Sequence, residues 1–440
     1  MEAPPATAAE AVLTNDFLLR SILQRLPPAD LLRAALASHR WCRAASRAAP
    51  LAPPLLGHLF HPVDTLPPTP IPSPATAHYP AVFAPLDHAA AARAPLLSLG
   101  FAAHAARGFT IQDVHLGLVL LLPSELPKML LPRVLVLDPA SRRSALLPPP
   151  PRDAVPNDRW RRARHVVGVA VLSRAHPSRL CFEAVCVAVD GDRPRAWVAS
   201  VRDGDCTWRA LPRSKGAKVD FDPWLFEARC VHAAGNIYWH ICNSGRLLAL
   251  DPRTVELSFL LVPAELGMHF KKYRVGEAPE DGQLCIASAE DQQLQVWVRG
   301  DAKGNDNGWV LVRQMSIHRV LDTVPGLPRD MMSRMLCTSL TDIDAGRTGK
   351  VFIDTEAYGR YSFDLETQKL ERLVTDNGKE YGHPIYAYFL AWPPAFLAPS
   401  ETAVVTREKT SVFYCFKSAR IVAFLGRQSN PFFTELTGKL

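Results

Sequence analysis

The sequence predicts a multidomain protein: a small all-α module followed by a large all-β domain, which we interpret as a β-propeller of about six blades. Helical periodicity of apolar residues is confined to residues 13–48. From about residue 94 onward, short alternating apolar and polar runs are separated by Gly, Asp and Asn turns. With 440 residues, 48% of them hydrophobic, the chain is long and apolar enough for more than one packed core.

The helical module begins with an amphipathic stretch. Apolar side chains recur there at intervals of four residues, at Leu18, Ile22 and Leu26. The Pro27-Pro28 pair ends this helix, a second helix restarts after it, and a third is expected to contain Trp41. Because a module of three such helices is too small to sustain its own core, its apolar side chains predict a binding partner.

The run LTNDFLLRSILQRLPPADLLRAALASHRWCRAASR resembles an F-box, in which Ile-Leu, Arg-Leu-Pro, Leu-Leu-Arg-Ala and Trp occur in this order. Thr14 replaces a common Pro, and Ser38-His39-Arg40 replaces the usual Val-Cys-Arg or Val-Cys-Lys. The resemblance implies binding to a Skp-family adaptor and, through it, to a cullin. The implied adaptor-binding residues are Leu13, Leu18, Ile22, Leu23, Leu26, Pro27, Leu31, Leu32 and Trp41. Alternatively, these leucines are the core of a helical cap that packs on the downstream domain.

A change in composition separates the two domains. The stretch PVDTLPPTPIPSPATAHYP, after Leu56, is rich in proline, which favours extended backbone and is not tolerated in helices or central strands. We therefore predict a disordered N-terminal tail at 1–12, the helical module at 13–56, a proline-rich linker at 57–93, the propeller at 94–425 and a C-terminal tail at 426–440.

An internal repeat favours a propeller over a sandwich or barrel. The segments VLVLDPASRRSALLP, LLALDPRTVELSFLLVP and RYSFDLETQKLERLV share a strand, an Asp, a turn and a returning strand. Their aspartates, Asp138, Asp251 and Asp364, are 113 residues apart (251 − 138 and 364 − 251). Units of a second type, around Trp208 and Trp309, lie between them, so each period is expected to contain two blades. The aspartate side chain is expected to hydrogen-bond the backbone of its own turn.

The second half of the chain shows its own resemblance. The segment VHAAGNIYWH, followed by Leu250-Asp251-Pro252, resembles the Gly, Tyr-Trp and Asp pattern of the propellers that accompany F-boxes in plant proteins. The segment GLVLL, followed by Leu137-Asp138-Pro139, is similar to their first blade. The resemblance implies a non-catalytic substrate receptor of an SCF-type cullin–RING ubiquitin ligase, whose propeller binds a substrate protein. A scaffold or regulator that binds a partner without degradation is the alternative.

Composition argues against several other classes. The 50 basic and 43 acidic residues give only a mild excess of +7, so no nucleic-acid partner is expected, and we interpret the basic run from Arg159 to His165 as a solvated loop. The apolar run from Leu118 to Leu122 is too short to cross a bilayer, and the N-terminus lacks a secretory signal. Nine cysteines without a C-x-x-C pair indicate free thiols in a reducing compartment. We expect an intracellular protein of cytoplasm or nucleus, with no membrane partner.

Motifs of chemistry are missing from the sequence. It contains no phosphate-binding glycine loop, no H-E-x-x-H and no G-x-S-x-G, so we expect no cofactor, no metal and no enzymatic activity. His240 and Cys242 face the same side of a strand, but two ligands do not make a zinc site, and we interpret them as a core pair. We assign Asp342 and Asp344 to a turn. A propeller hydrolase or lectin would need clustered carboxylates, and the sequence shows none that we can identify.

Overall fold

The computed structural model describes part of the helical module and most of the β-domain. The described residues are 15–23, 25–26, 34, 39–46, 55–63, 80–86, 97–124, 131–151, 164–176, 179–202, 204–267, 273–278, 282–290, 292–300, 308–343 and 348–389. The chain divides into two compact units, the second of which is Leu55–Leu390. The tails predicted at 1–12 and 426–440 lie outside the described residues.

The first unit contains α1 (Asp16–Leu23) and α2 (His39–Ser46) in its described part. Asn15 caps α1, because its side-chain oxygen accepts hydrogen bonds from the backbone N–H groups of Phe17 and Leu18 at 3.0 and 3.3 Å. The two helices contact each other. Their buried side chains are Leu19, Leu23, Ala44 and Ala45. The middle helix expected between them falls almost wholly outside the described residues.

The second unit is a six-bladed β-propeller. Its first strands are β1 (Leu55–Phe60), β2 (Pro62–Val63) and β3 (Val82–Pro85). Blade 1 comprises β4 (Phe109–His115), β5 (Leu118–Pro123), β6 (Val134–Asp138) and β7 (Arg143–Leu147); blade 2 comprises β8 (Arg164–His176), β9 (Cys181–Asp190), β10 (Arg193–Arg202) and β11 (Asp205–Ala210). Blade 3 comprises β12 (Phe226–Ala233), β13 (Asn236–Ile241), β14 (Arg246–Asp251) and β15 (Glu256–Leu261). Blade 4 comprises β16 (Tyr273–Glu277), β17 (Leu284–Glu290), β18 (Gln293–Arg299) and β19 (Trp309–Ser316); blade 5 comprises β20 (Thr338–Ile343), β21 (Lys350–Thr355), β22 (Gly359–Asp364) and β23 (Leu370–Arg372). The last strands are β24 (Glu380–Tyr381) and β25 (Tyr386–Phe389).

Each of blades 1 to 5 is an antiparallel meander whose first strand is innermost. The innermost strands contact each other from blade to blade, and β4 of blade 1 also contacts β12 of blade 3. Tight turns make the meander possible, since their residues adopt left-handed backbone that fits a two-residue hairpin. Ala234 and Gly235, for example, have φ of 48° and 75° between β12 and β13.

Blade 6 closes the ring with strands from both ends of the unit. Its inner strand β25 pairs with β1, which pairs with β3, and β2 pairs with β24. The structure therefore places strands within residues 57–93, where the sequence predicts a linker, and the propeller begins at Leu55 instead of residue 94. Leu55 pairs with Phe389, which is 334 positions away (389 − 55), so no local pattern reveals this strand. Residues 64–79 of the same stretch lie outside the described residues.

The repeat predicted from the sequence is confirmed. Asp138, Asp251 and Asp364 end the third strands of blades 1, 3 and 5, so one period of 113 residues contains two blades. The carboxylates accept hydrogen bonds from backbone N–H groups of their own turns. The donors are Ser141 at 3.3 Å, Arg253 at 2.8 Å and Thr367 at 2.7 Å.

Tryptophans connect neighbouring blades. Trp239 is fully buried in the core that blades 2 and 3 share, and Trp197 of blade 2 is also fully buried. Gly168 of β8 permits this packing, since a Cβ there would lie 2.4 Å from the carbonyl oxygen of Ala228 and 2.6 Å from Trp239 Nε1. On the fourth strand of blades 2 and 4, an indole N–H donates to a carbonyl at the end of the preceding blade. These bonds are Trp208 Nε1 to Pro148 O at 3.0 Å and Trp309 Nε1 to Leu261 O at 2.9 Å.

Three short helices lie in connections of the propeller: α3 (Ala264–Gly267), α4 (His318–Leu321) and α5 (Met331–Cys337). The last two belong to the connection between β19 of blade 4 and β20 of blade 5. In meander blades, connections from one blade to the next lie on one face of the propeller, which we call the connection face. A 3₁₀ turn, Pro223–Leu225, lies on the same face between blades 2 and 3.

Candidate functional site

The helical module presents apolar side chains of α1 to solvent. Phe17, Leu18 (39% exposed) and Ile22 (42% exposed) remain accessible, whereas Leu19 and Leu23 are buried. Leu18 and Ile22 lie one helical turn apart and form a continuous row on the helix surface. α1 therefore has one apolar row that packs within the module and a second row that remains in solvent. Such an uncovered apolar row is typical of a helix that binds a partner protein.

The structure distributes the predicted adaptor-binding residues over different environments. Leu18 and Ile22 are exposed, Leu26 and Trp41 are half-buried, and Leu23 is fully buried. Leu23 therefore belongs to the packing of the module itself, because a side chain with no accessible surface cannot contact a partner without rearrangement. The remaining predicted residues lie outside the described part of the chain: Leu13, Pro27, Leu31 and Leu32.

The propeller displays an apolar patch on its connection face. The α5 helix exposes four large apolar side chains, which we call the α5 patch: Met331, Met332, Met335 and Leu336. Leu336 is 80% exposed. Methionine is flexible and polarizable, so such side chains adapt to different apolar partners. Arg319 and Arg329 are exposed in the same connection, together with Asp322 and Asp330, so the surroundings of the patch carry charges of both signs.

A buried arginine positions the α5 patch. Arg334 has no accessible surface, and its guanidinium donates to Pro328 O at 2.9 Å, His318 O at 3.2 Å and Asp322 Oδ1 at 2.8 Å. Asp330 caps the helix, since its carboxylate accepts from the N–H of Ser333 at 2.8 Å. The connection is thus held by hydrogen bonds on its inner side while its apolar side chains point to solvent, an arrangement suited to a binding surface.

The tryptophans, which the sequence could not sort, divide between core and surface. Among those described, Trp197, Trp239, Trp297 and Trp309 are buried and Trp208 is half-buried. Trp224 is exposed and lies in the 3₁₀ turn between blades 2 and 3, on the connection face. Its ring meets His165 edge to face, with centroids 4.8 Å apart. The connection face therefore displays an aromatic and a methionine-rich element, both residue types enriched in protein interfaces.

A charged cluster occupies the centre of the propeller where the inner strands begin. Glu227 of β12 contacts Arg274 at 2.5 Å and His240 Nδ1 at 3.1 Å. Burial alone would raise the pKa of Glu227, but the hydrogen bond and charge of His240 and the charge of Arg274 hold it well below its usual range. Burial lowers the pKa of the nearby His383. His240 and Cys242, predicted as a core pair, thus belong to an ionic cluster with Glu227, and all three have ligand atoms within 4.8 Å of one another.

Arg229 of the inner strand β12 forms an ion pair with Asp342, and both side chains are buried. The guanidinium lies 5.4 Å from the centre of the Tyr386 ring. The sequence predicted a turn at Asp342, but Asp342 lies on the inner strand β20; Asp344 lies outside the described residues. This ion pair connects blades 3 and 5. The partner of Asp342 is thus an arginine and not the second carboxylate that a glycosidase would need.

A second cluster lies toward the ends of the inner strands β4 and β12. His232 Nε2 lies 3.1 Å from both carboxylate oxygens of Asp113, and Cys230 Sγ lies 3.9 Å from His232 Nε2. The His115 ring stacks on His232 with centroids 3.7 Å apart. Burial raises the pKa of Asp113 by itself, yet attraction to His232 and the hydrogen bond from it lower the pKa overall. Burial and the neighbouring His232 charge lower the pKa of His115 to about 3.

Sequence reasoning missed this second cluster. Its signal is two alternating pairs, Asp113-x-His115 and Cys230-x-His232, each on one face of a strand. The pairs are 117 residues apart (230 − 113), and nothing in the local pattern shows that the two strands meet. The α5 patch could have been suspected from the run MMSRMLC, which has more apolar residues than an exposed connection requires.

A groove opens along the outer side of blade 3. It has a volume of about 1260 Å³ and is lined by residues of β15 together with the connection that follows β11. Charged side chains of both signs line it, among them Arg213, Lys215, Asp251, Glu256 and Arg299. The mixed charge selects no ligand class, so we assign the groove no function.

The family of the chain follows from comparison with known proteins. Residues 111–396 match the family described as F-box protein AT5G49610-like, beta-propeller, and residues 15–49 match the F-box domain. The first match spans more than half of the chain. The chain belongs to this family of F-box propeller proteins. The F-box match falls in the helical unit, and the second match covers most of the propeller unit, so the F-box and the propeller expected from the sequence are both confirmed.

Solved structures with similar strand arrangements are distant from this F-box propeller protein. The β-propeller domain of Cps50 (Swd1) from Myceliophteria thermophila is 15% identical, with 62% of this chain and 74% of that chain covered and a TM-score of 0.32. A putative 6-phosphogluconolactonase from Bacteroides uniformis is 10% identical, with 76% and 97% covered and a TM-score of 0.33. No curated protein matches the sequence. Within the described residues, no helix is long and apolar enough to span a membrane.

Proposed function

We propose that this F-box propeller protein is the substrate-recognition subunit of an SCF-type cullin–RING ubiquitin ligase. The observation that supports the proposal best is the pairing of an F-box at residues 15–49 with a family propeller at residues 111–396. In this role the helical module binds a Skp-family adaptor, and through it a cullin, while the propeller binds a substrate protein. The subunit promotes ubiquitination by proximity, since it raises the concentration of substrate beside a conjugating enzyme and needs no catalytic residue of its own.

The exposed row of α1 is the proposed adaptor contact. Leu18 and Ile22 expose apolar surface that an adaptor helix could cover, and neither is needed to bury the other face of α1. Complete burial of an aliphatic side chain contributes about 1.5–3 kcal/mol to the free energy of binding. A charge placed in a buried interface also has to lose its hydration, which weakens binding further. The proposed location of the complex is intracellular, in cytoplasm or nucleus.

The test is adaptor binding by the full-length protein. Ile22→Asp should weaken binding to a purified Skp-family adaptor by about 30-fold or more, which corresponds to about 2 kcal/mol. Arg20→Asp is the matched control, because Arg20 is exposed on α1 at about 160° from Ile22 around the helix axis. Leu23→Asp is unsuitable, since Leu23 is buried and its change would disturb the module. Equal binding by Ile22→Asp and the wild type would contradict the proposal.

The connection face is the proposed substrate surface. The α5 patch and Trp224 supply apolar contacts, which favour a substrate segment with exposed apolar side chains. A scaffold that binds its partner without degradation would use the same surfaces. The two functions differ in whether ubiquitin is transferred to the bound protein in a reconstituted reaction with adaptor, cullin and conjugating enzyme. Bound protein that stays unmodified there would favour the scaffold.

A further inference from the structure

We propose that Asp113, Cys230 and His232 form a zinc site between the inner strands of blades 1 and 3 of the propeller. The three side chains offer one carboxylate oxygen, one thiol sulfur and one imidazole nitrogen, and these atoms all lie within 4.8 Å of one another. Zinc is the metal ion that accepts this mixture of oxygen, sulfur and nitrogen ligands. This proposal is independent of the ligase function, because it concerns the centre of the propeller and not its partners.

The distances between the ligand atoms suit a tetrahedral ion. With metal–ligand bonds of about 2.0–2.3 Å, neighbouring ligands of a tetrahedral zinc are about 3.3–3.8 Å apart. His232 Nε2 lies 3.1 Å from each Asp113 oxygen, and Cys230 Sγ lies 3.9 Å from the same nitrogen. These distances to His232 Nε2 differ from the tetrahedral values by a few tenths of an ångström, and the Cys230 Sγ and Asp113 oxygen atoms lie within 4.8 Å of each other.

The strand geometry makes the site rigid. Cys230 and His232 are two residues apart on β12, so their side chains share one face, and Asp113 and His115 do the same on β4. The two strands contact each other although their blades are not neighbours in the ring. Asp113 is also fixed from a third strand, since its Oδ2 accepts a hydrogen bond from the N–H of Val171 on β8 at 2.8 Å.

Asp113 differs from the other buried carboxylates in what balances its charge. Among the described residues, each other buried acidic side chain forms an ion pair with an arginine: Asp138 with Arg174, Asp190 with Arg213, Asp342 with Arg229 and Glu380 with Arg372. Asp113 is 2% exposed, and its ion-pair partner in the described part of the chain is a histidine. A buried carboxylate requires a counter-charge, which a bound cation supplies more fully than an imidazole that is charged only when protonated.

The charges balance when the ion is present. Zn²⁺ with one carboxylate and one thiolate has no net charge, so the filled site is compatible with burial. Binding releases to solvent the thiol proton of Cys230 and the proton that His232 Nε2 shares with Asp113, so that the Nε2 lone pair binds the ion while the remaining proton of His232 is at Nδ1. The His115 ring stacks on the His232 ring at a centroid distance of 3.7 Å and thereby fixes the orientation of this ligand.

The second group of three candidate ligands, Glu227, His240 and Cys242, is less suited to a cation. Glu227 already contacts the guanidinium of Arg274 at 2.5 Å, and a divalent ion beside it would be repelled by that positive charge. Cys242 therefore provides a matched control: it is a cysteine beside a histidine and a carboxylate of the same propeller, in a group that already contains a cation.

The experiment measures metal binding by the full-length protein. The protein is dialysed against a chelator and titrated with Zn²⁺, and with Co²⁺ as a spectroscopic substitute whose thiolate charge-transfer band reports a cysteine ligand. We expect one Zn²⁺ per chain, a cobalt–thiolate band, and a higher midpoint of thermal unfolding with zinc. Cys230→Ser should abolish the band and weaken zinc binding at least about 100-fold, whereas Cys242→Ser should leave both unchanged.

Several results would overturn the site. These are a wild-type protein that binds no stoichiometric zinc, a cobalt–thiolate band that persists in Cys230→Ser, and a band that disappears only in Cys242→Ser. Circular dichroism shows whether Cys230→Ser keeps the fold of the propeller. If it does not, Asp113→Asn, which keeps the size of the side chain and removes its charge, should weaken zinc binding at least about tenfold; unchanged affinity would contradict the assignment.

Discussion

Replacement of Arg334 by methionine tests how the α5 patch is held. Arg334→Met keeps the length of the side chain and removes its bonds to Pro328 O, His318 O and Asp322. A hydrogen bond from a charged group contributes about 1.5–3 kcal/mol, and each carbonyl left without a partner costs about 1–3 kcal/mol. These terms are not additive, and the Asp322 carboxylate is 40% exposed and can be hydrated, so we expect a net loss of about 3 kcal/mol.

The loss should be local, because the bonds of Arg334 lie within the connection between blades 4 and 5. Amide hydrogen exchange in residues 318–337, measured by mass spectrometry, should become roughly 100-fold faster, which is the factor that corresponds to about 3 kcal/mol. Exchange in blade 2 should not change. Arg319→Met is the control, since Arg319 is exposed in the same connection and its replacement should alter exchange less than about twofold. Unchanged exchange in 318–337 of Arg334→Met, or an equal increase in blade 2, would refute the reasoning.

Three further predictions concern the propeller itself. Gly168→Ala should lower the free energy of unfolding by about 1–3 kcal/mol in urea titrations, because its Cβ would lie 2.4 Å from a backbone oxygen, whereas Gly216→Ala, with open space around it, should be near neutral; equal effects would contradict the packing argument. Asp190→Asn should lower the free energy of unfolding by about 2–4 kcal/mol at pH 7, because Arg164, Arg195 and Arg213 each lose the ion pair with this carboxylate. Burial raises the pKa of Asp190, but its arginine partners lower it overall. The stability that Asp190 contributes is therefore fully present above the unfolded pKa of about 3.9 and is lost as pH falls through the lower folded pKa. A difference in the free energy of unfolding between wild type and variant that stays constant from pH 7 to pH 2 would argue against this contribution. A fragment of residues 55–390 should fold cooperatively by circular dichroism, whereas residues 94–425 lack β1 and β3 and should aggregate; a soluble, cooperative 94–425 fragment would show that blade 6 is dispensable.

The local features of the fold could be predicted because they depend on neighbouring residues. An Asp at the end of a third strand hydrogen-bonds its own turn, and this requirement repeats every 113 residues at Asp138, Asp251 and Asp364. Likewise, apolar residues four positions apart predicted a helix in this stretch, and α1 (Asp16–Leu23) forms there. In each case the interacting groups lie within a few residues of one another, so their spacing in the sequence is also their spacing in the fold.

The features that were missed depend on residues distant in sequence. The strand β1 lies at the edge of a proline-rich stretch and becomes a strand by pairing with β25, whose Phe389 lies opposite Leu55. Leu23 matches the F-box pattern as well as Ile22 does, yet one is buried and the other exposed, because burial depends on how α1 meets α2. The burial of Arg334 could not be predicted either, because the residues around it in the sequence are equally compatible with an exposed arginine.

The sequence alone therefore determined the class of the protein: its helical module, its blade repeat and the family to which both belong, because these rest on local periodicity and turn chemistry. Only the tertiary structure decided where the ring closes, which apolar side chains face solvent and which polar ones meet at its centre. Asp113 and Cys230 are 117 residues apart (230 − 113) and become neighbours because a propeller brings the first strand of every blade to one axis. The burial of these side chains and the distances between them depend on strands from different blades, so no single segment of the sequence predicts them.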